Sequence, residues 1–201
     1  GAMRGVISSI APGVPMVDIT HKIAPQDVRS AAFVLWAALP YFPAASVHLV
    51  VVDPGVGTGR RALASETSWG VLVGPDNGVF SYVWAAAPAR STVELSNPAY
   101  WRSTVSSTFH GRDIFAPVAA HLAAGVSLAA LGSPLSAPVR LPAPHLSATE
   151  SRLRGEILHI DHFGNAITSI GRLVWDGELL YLDPAFGTIQ PRVVNPARLV
   201  V

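Results

Sequence analysis

Residues 50–61 read Val-Val-Val-Asp-Pro-Gly-Val-Gly-Thr-Gly-Arg-Arg. The run at 47–52 is apolar and mostly β-branched, which predicts a short buried strand. Pro54 has no backbone N–H and therefore ends the hydrogen bonding of the strand. Three alternating glycines then let the backbone turn closely around a bound group. Because ligand sites in open α/β sheets lie beyond the carboxyl ends of strands, Asp53 and Arg60 are candidates for chemistry.

The glycine-rich loop does not match two familiar phosphate-binding patterns. A dinucleotide fingerprint needs a third glycine where Arg60 stands, and a phosphate loop needs Gly-Lys-Ser/Thr, which is absent. A plain turn, in which Asp53 caps its own backbone, is therefore the alternative interpretation. The loop alone leaves both interpretations open.

Composition limits the classes of function. The 201 residues suffice for one domain, or for one domain with a small second one, and half of them are apolar. The formal net charge of +1 argues against a nucleic-acid partner, and the lack of cysteine excludes disulfides and a thiol nucleophile. Neither a signal peptide nor an apolar run of the roughly 18 residues that a membrane helix needs is visible. We therefore expect a cytoplasmic protein with no nucleic-acid or membrane partner.

The first part of the chain predicts alternating helices and strands. Residues 1–10 have one apolar helical face, and residues 16–20 have the pattern of a short strand. A helix is predicted from Pro25 to Leu39, because proline favours the first helical turn. Residues 62–66 and 71–73 predict a pair of hairpin strands.

The following segment returns to helices. Residues 79–87 predict a helix and residues 92–95 a strand. The polar stretch 106–113 leads into a predicted helix at 114–124, with Asp113 as its N-cap. The fold class is therefore α/β, with an α/β domain over 1–132.

The pattern changes after this domain. Residues 133–149 contain four prolines and have no clear period, which predicts a linker or a wrapping segment. Alternation over 155–161 and extension over 166–170 predict strands without helices. A smaller β-rich domain is therefore expected over 150–201.

His110 differs from the other histidines because it lies where a helix begins. The positive end of the helix disfavours imidazolium, which would keep the ring neutral and able to accept a proton. The alternative is a histidine bonded to nearby backbone. His159 and His162 flank Asp161 in an extended segment, where their side chains would not converge, so no metal site is expected.

Six segments, in this order, resemble the S-adenosyl-L-methionine hydroxide adenosyltransferases. These enzymes are hydrolytic relatives of chlorinases and fluorinases that use the same compound. The resemblance implies a three-layer, Rossmann-like N-terminal α/β domain, a smaller β-barrel-like C-terminal domain, and a homotrimer with active sites between subunits. The six segments are 17–21, 25–28, 52–61, 74–78, 107–113 and 159–165.

The resemblance also implies a reaction and its residues. Water or hydroxide attacks the ribose C5′ and releases adenosine and L-methionine, with S-adenosyl-L-methionine as substrate and no cofactor. By motif the catalytic residues are Asp53, Arg60 and His110, and which of them acts as the base stays open. The implied substrate-binding residues are Gln26, Asp76, Asn77, Thr108, Phe109, Asp161, Phe163 and Asn165.

Two family segments have no match here, namely a Thr-Asp-Phe-Gly-like motif near the start and an Asn-Ser-x-Gly motif near the end. The C-terminal domain is therefore expected to be incomplete in this sequence. A halogenase and a non-catalytic binder of the same compound are the alternative functions. Halogenases have Tyr and Ser at the positions of His110 and Gly111 and lack the carboxylate and guanidinium of Asp53 and Arg60, which favours water as nucleophile.

Overall fold

The structure is a computed structural model and consists of two compact units, residues 1–141 and 142–201. The predicted domain boundaries near 132 and 150 stay predictions. The residues that the structure describes are 1–149, 152–175, 180–183 and 193–194.

The first unit is built on a mixed four-stranded sheet with the strand order β1-β3-β2-β4. β1 pairs with β3 in parallel, and His48 lies opposite Leu72. β2 is antiparallel to both β3 and β4, so the predicted hairpin at 62–66 and 71–73 is confirmed. The strands are β1 (Val47–Leu49), β2 (Ala62–Thr67), β3 (Gly70–Pro75) and β4 (Ser91–Glu94).

Helices cover both faces of this sheet. Alternation along the strands sends neighbouring side chains to opposite faces, so that Leu63 and Ala64 join different apolar clusters. One cluster includes Phe115 and Val118 beside the sheet, and the other includes Leu35. The chain is therefore a mixed α/β protein. The helices are α1 (Ala2–Ile10), α2 (Val28–Ala38), α3 (Ser81–Ala86) and α4 (Ala116–Ala123), with 3-10 turns at Leu39–Tyr41, Pro98–Tyr100 and Leu128–Leu131.

The strand predicted at 47–52 ends at Leu49, and two predicted elements nearer the start of the chain also differ from the structure. Residues 16–20 form no strand, and Val17 is 70% exposed, because an alternating pattern becomes a strand only where a neighbouring backbone pairs with it. The helix predicted from Pro25 begins instead at Val28. The side chain of Asp27 accepts a hydrogen bond from the backbone N–H of Ser30 at 2.9 Å and caps the helix there.

The proline-rich segment is held against the first unit as far as residue 141. The backbone N–H of Leu135 donates to the carbonyl of Thr92 at 2.8 Å. The backbone N–H of Leu141 donates to Oγ of Ser81, also at 2.8 Å. This part of the predicted linker or wrapping segment therefore wraps the first unit.

The described part of the second unit consists of short antiparallel strands in three sheets. Strands form within the predicted ranges 155–161 and 166–170, and the side chain of Ser169 is buried beside Glu156 and His145. The remainder of the predicted 150–201 domain lies outside the described residues. The strands are β5 (Leu146–Ala148), β6 (Leu153–Gly155), β7 (Ile157–Ile160), β8 (Ala166–Thr168), β9 (Arg172–Trp175), β10 (Leu180–Asp183) and β11 (Val193–Val194).

Candidate active site

The loop after β1 folds back on itself and brings Arg60 to Asp53. Oγ1 of Thr58 donates to the carbonyl of Gly55 at 2.7 Å, which closes the turn. Nε of Arg60 donates to Oδ1 of Asp53 at 3.0 Å, and Nη2 donates to Oδ2. The seven-residue spacing and the glycines therefore produce a two-pronged ion pair just beyond β1, an edge strand of the sheet.

This ion pair is removed from water. The side chain of Asp53 is 5% exposed and that of Arg60 is 7% exposed. The guanidinium also lies over the ring of Phe115, 5.2 Å from its centroid. Burial weakens solvent screening, so the two charges act strongly on any group bound beside them.

His110 completes the cluster from a segment fifty residues further along the chain. Nη2 of Arg60 lies 3.1 Å from Nδ1 of His110. A guanidinium can only donate, so Nδ1 is the acceptor and carries no proton in this arrangement. The neutral ring must then carry its proton on Nε2, which makes Nε2 a hydrogen-bond donor. The three residues predicted to be catalytic thus lie together.

Two close backbone approaches bring the loops of the cluster together. A Cβ at Gly57, whose φ is +78°, would lie 2.7 Å from the carbonyl oxygen of Ser107. A Cβ at Gly111 would lie 3.1 Å from Cγ1 of Val51. Larger residues at either position would force the 106–113 loop away from the end of β1. The glycines therefore set the distance between His110 and Arg60.

The predicted helix after His110 begins with a π-helical turn, Gly111–Phe115. The backbone N–H of Ala116 donates to the carbonyl of Gly111, five residues earlier. Asp113 lies inside this turn and is fully buried, so its predicted role as the N-cap is wrong. The extra residue of a π turn leaves no trace in hydrophobic periodicity, although such turns are frequent at functional sites.

A cavity of about 370 Å³ lies beside the ion pair and is lined by Asp53 and Gln26. Gln26 has φ of +67°, a left-handed conformation that non-glycine residues seldom adopt. Such strain persists where the surrounding structure enforces it and is common at binding sites. Gln26 is therefore a predicted substrate-binding residue that lines a cavity beside the ion pair. The other lining residues are Ile23, Ala24, Pro25, Val51, Val52, Pro54 and Val56.

Asp76 and Asn77 are occupied by contacts within the protein. Asp76 is bonded to the guanidinium of Arg61, and its Oδ1 accepts from the backbone N–H of Val139 at 2.7 Å. Nδ2 of Asn77 donates to the carbonyl of Val52 at 2.8 Å. Their predicted contact with substrate stays a prediction, whereas a role in fixing the turn is visible.

Thr108 and Phe109 belong to the same exposed loop as His110. Phe109 is 58% exposed, and the guanidinium of Arg112 lies 5.0 Å from its ring centroid. The backbone N–H of Thr108 donates to Oγ of Ser106 at 3.2 Å. Both side chains are therefore available to a ligand.

The remaining predicted binding residues lie in the second unit. Oδ1 of Asp161 accepts from the backbone N–H groups of Phe163 and Asn165, at 2.9 and 2.8 Å. The side chain of Asn165 also donates to Oδ2, and this bond is the main reason that the pKa of Asp161 is lowered. Phe163 is 78% exposed. The turn thus presents an ionised carboxylate beside an open aromatic ring.

Neither a metal site nor a membrane helix is found in the described parts of the chain. Those residues include no group of three or more His, Cys, Asp or Glu side chains that could hold a metal ion. Within the same residues, every helix falls short of the length and apolar character that crossing a bilayer requires.

Comparisons with known proteins agree with the motifs. A protein of Salinispora tropica named (R)-S-adenosyl-L-methionine hydrolase is 50% identical over 167 residues, covering 82% of this chain. The chain spans 64% of that relative's length. A fluorinase of an Actinoplanes species is 30% identical over 196 residues, covering 84% of this chain and 66% of the fluorinase.

The chain is also similar to a solved structure and matches a family model. The crystal structure of an uncharacterized conserved protein from Thermotoga maritima superposes with a TM-score of 0.81 at 40% identity. The match covers 85% of this chain and 66% of the other. A family model described as the SAM hydroxide adenosyltransferase N-terminal domain matches residues 1–132. The chain therefore belongs to the S-adenosyl-L-methionine hydroxide adenosyltransferase family.

Proposed function

We propose that this protein hydrolyses S-adenosyl-L-methionine to adenosine and L-methionine by attack of water at the ribose C5′. The observation that carries the proposal is the cluster of the buried Asp53–Arg60 ion pair with the half-buried His110. The name of the Salinispora relative supports it and points to the R epimer at the sulfonium. S-adenosyl-L-methionine is the substrate in this proposal, and no cofactor is required.

The chemistry of the substrate explains why such a cluster suffices. The leaving group is a thioether expelled from a sulfonium, so it departs neutral and needs no general acid. The task of the enzyme is to supply a nucleophile at neutral pH and to align it behind C5′. A carboxylate, a guanidinium and an imidazole can bind and deprotonate one water molecule.

The hydrogen bonds favour a distinct role for each residue. His110 already accepts from Arg60 through Nδ1, so its Nε2–H donates to the water oxygen and orients it. Asp53 is then the proton acceptor, and Arg60 holds both partners in place. The water oxygen bonds to C5′ as the C5′–S bond breaks, the electron pair stays on sulfur, and the water proton passes through Asp53 to solvent.

Substrate contacts and architecture extend the proposal. Gln26, Thr108 and Phe109 would contact the nucleoside, since they are exposed around the cluster or its cavity. The turn from Asp161 to Asn165, with Phe163 between them, would hold the methionine part. The proposed architecture is a Rossmann-like domain over 1–132, a linker over 133–149 and a β-barrel-like domain over 150–201.

A halogenase is the second candidate, because a fluorinase is among the relatives. The carboxylate of Asp53 argues against it, since a negative charge beside the nucleophile repels a halide and can accept a proton from water. Gly111 also lacks a hydroxyl that could compensate a dehydrated halide. A non-catalytic binder would not need the cluster of Asp53, Arg60 and His110.

Product analysis tests the three functions. The purified protein is incubated with each sulfonium epimer separately, in halide-free buffer and with added chloride or fluoride, and the products are separated by mass spectrometry. We expect adenosine and methionine without halide, and none from Asp53→Asn. A halogenated deoxyadenosine as main product would favour the halogenase, and lack of turnover would favour the binder.

Assembly is the last part of the proposal. We infer a homotrimer from the family resemblance, and the exposed apolar side chains Val17 and Tyr41, 70% and 87% exposed, are compatible with an interface. Light scattering of the active protein tests it. A trimer is expected, and a fully active monomer would exclude this assembly.

A further inference from the structure

The carboxylate of Asp113 is the most heavily bonded polar group near the cluster, although it belongs to no part of the proposed chemistry. It is fully buried. Oδ1 accepts from Nε of Arg112 at 2.7 Å and from Nη1 of Arg102 at 3.1 Å. Oδ2 accepts from Nη2 of Arg112 at 2.8 Å and from the backbone N–H of Ser106 at 2.9 Å.

These bonds close the loop between residues 102 and 113. The backbone N–H of Arg102 also donates to the carbonyl of Asp113 at 2.9 Å, so the two ends of the loop are joined by backbone and side chain. Ser106 is held from inside the loop by the same carboxylate. The enclosed residues include His110, whose position is therefore set by the closure.

Backbone hydrogen bonds in the π turn connect Asp113 to Phe109, the residue that precedes His110. The backbone N–H groups of Arg112 and Asp113 both donate to the carbonyl of Phe109, each at 3.0 Å. The guanidinium that binds Asp113 also covers the ring of Phe109. His110 follows Phe109 directly, so a shift of Asp113 would move the backbone that carries the imidazole.

Building on the proposed function, we propose that Asp113 is a positioning residue, which keeps Nδ1 of His110 against the guanidinium of Arg60 by closing the 102–113 loop. It does not contact the reacting atoms. Removing it would release the imidazole into other orientations and both neutral tautomers. A misplacement of about 1 Å in such a group costs about 10²-fold in rate.

The charge state of Asp113 keeps the 102–113 loop closed near neutral pH. The Arg112 guanidinium holds the pKa of the Asp113 carboxyl well below its usual range, with further lowering by the Ser106 N–H and Arg102. The carboxylate therefore stays ionised throughout the neutral range, and the closure does not open or shut with pH there. The groups facing the carboxylate are Arg102, Arg112 and Ser106.

The first test replaces Asp113 by asparagine, which keeps the shape and removes the charge. We expect kcat for S-adenosyl-L-methionine to fall about 10²-fold and KM to change less than about threefold, because orientation of the nucleophile is lost and binding is not. Nitrogen NMR of the histidine rings is measured in parallel. The His110 signals, assigned with His110→Gln, should change from an unprotonated Nδ1 to a mixture of tautomers.

If Asp113→Asn does not fold, two variants at Arg102 test the positioning role with a smaller perturbation. Arg102 is 45% exposed and makes one side-chain bond to Asp113, so Arg102→Gln should lower kcat about tenfold and Arg102→Lys should restore part of it. Arg4→Gln is the matched control, since Arg4 is 48% exposed and also pairs with one carboxylate. It should change neither kcat nor the His110 signals.

The NMR readout separates this proposal from the proposed function. If the wild-type protein shows no turnover, the hydrolase fails while the tautomer of His110 still reports on its positioning. Unchanged His110 signals in folded Asp113→Asn or Arg102→Gln would overturn the positioning role, even if kcat falls. Loss of stability with unchanged kcat and unchanged signals would also overturn it and leave Asp113 a purely structural residue.

Discussion

Nδ1 of His110 accepts a hydrogen bond from the guanidinium of Arg60 at 3.1 Å. Because that guanidinium is also bound to both oxygens of Asp53, it fixes the imidazole and the carboxylate relative to each other. In the proposed reaction, Nε2 of His110 would therefore donate to the water and Asp53 would accept its proton. The assignment leads directly to variants that separate the two roles.

His110→Gln should retain more activity than His110→Asn. A glutamine amide can supply a donor near the position of Nε2, whereas asparagine reaches only the position of Nδ1. We expect both variants to lose about 10²-fold or more in kcat, with glutamine about tenfold above asparagine. Steady-state kinetics checks this order. Equal rates for glutamine, asparagine and alanine would instead favour His110 as the base.

Arg60→Lys should lose most of its activity despite keeping the charge. The ammonium of lysine cannot bond Asp53 through two prongs and His110 at once. We expect kcat to fall by about 10²-fold or more and KM to change much less. The measurement is kinetics on protein whose fold is checked by circular dichroism, with Arg4→Lys as control. Activity near that of the wild type would show that catalysis does not require the two-pronged bonding of Arg60 to Asp53.

His48 should make stability depend on pH just below neutrality. It is 5% exposed, and burial lowers its pKa below the ordinary 6.5, outweighing its bond to the carbonyl of Trp69. The unfolded chain therefore binds a proton more readily, so the free energy of unfolding should fall as the pH drops below about 6.5. Denaturant titrations at pH 7.5 and 5.5 test this. His48→Gln should flatten the dependence, and an unchanged slope would contradict the burial argument.

Asp76 should matter for stability. Its carboxylate joins Arg61 to the backbone of Val139, and its side chain is 1% exposed. Asp76→Asn weakens the charged bond and should lower the free energy of unfolding by about 2 kcal/mol. Thermal unfolding with Glu66→Gln as a control, a half-buried acid of the same unit, measures this. A raised KM with unchanged stability would support the predicted substrate contact instead.

Local sequence was informative where neighbours in the chain become neighbours in space. The hairpin of β2 and β3 joins two predicted strands that are close in the chain, and the glycines between Asp53 and Arg60 allow the ion pair to form. Residues 16–20 show the limit of this reasoning. Their alternating pattern predicts a strand, yet a strand also requires a pairing partner, which a local pattern does not specify.

Local patterns single out Asp53, Arg60 and His110 separately, but only the family resemblance predicts that the three act together. His110 lies fifty residues after Arg60, and no spacing rule joins them until the close approaches at Gly57 and Gly111 are known. The N-cap prediction for Asp113 is wrong because an acidic residue before an apolar run resembles an N-cap, and hydrophobic periodicity does not reveal the π turn that buries it. Tertiary contacts, not local propensity, give these residues their roles.

Incubation in ¹⁸O-water tests the central claim most directly. S-adenosyl-L-methionine is converted in labelled, halide-free buffer, and the adenosine is fragmented to locate the label by mass spectrometry. Attack of water at carbon predicts one ¹⁸O atom at the 5′-oxygen of adenosine and none in methionine. Adenosine without the label, or lack of adenosine altogether, would contradict hydrolysis at C5′.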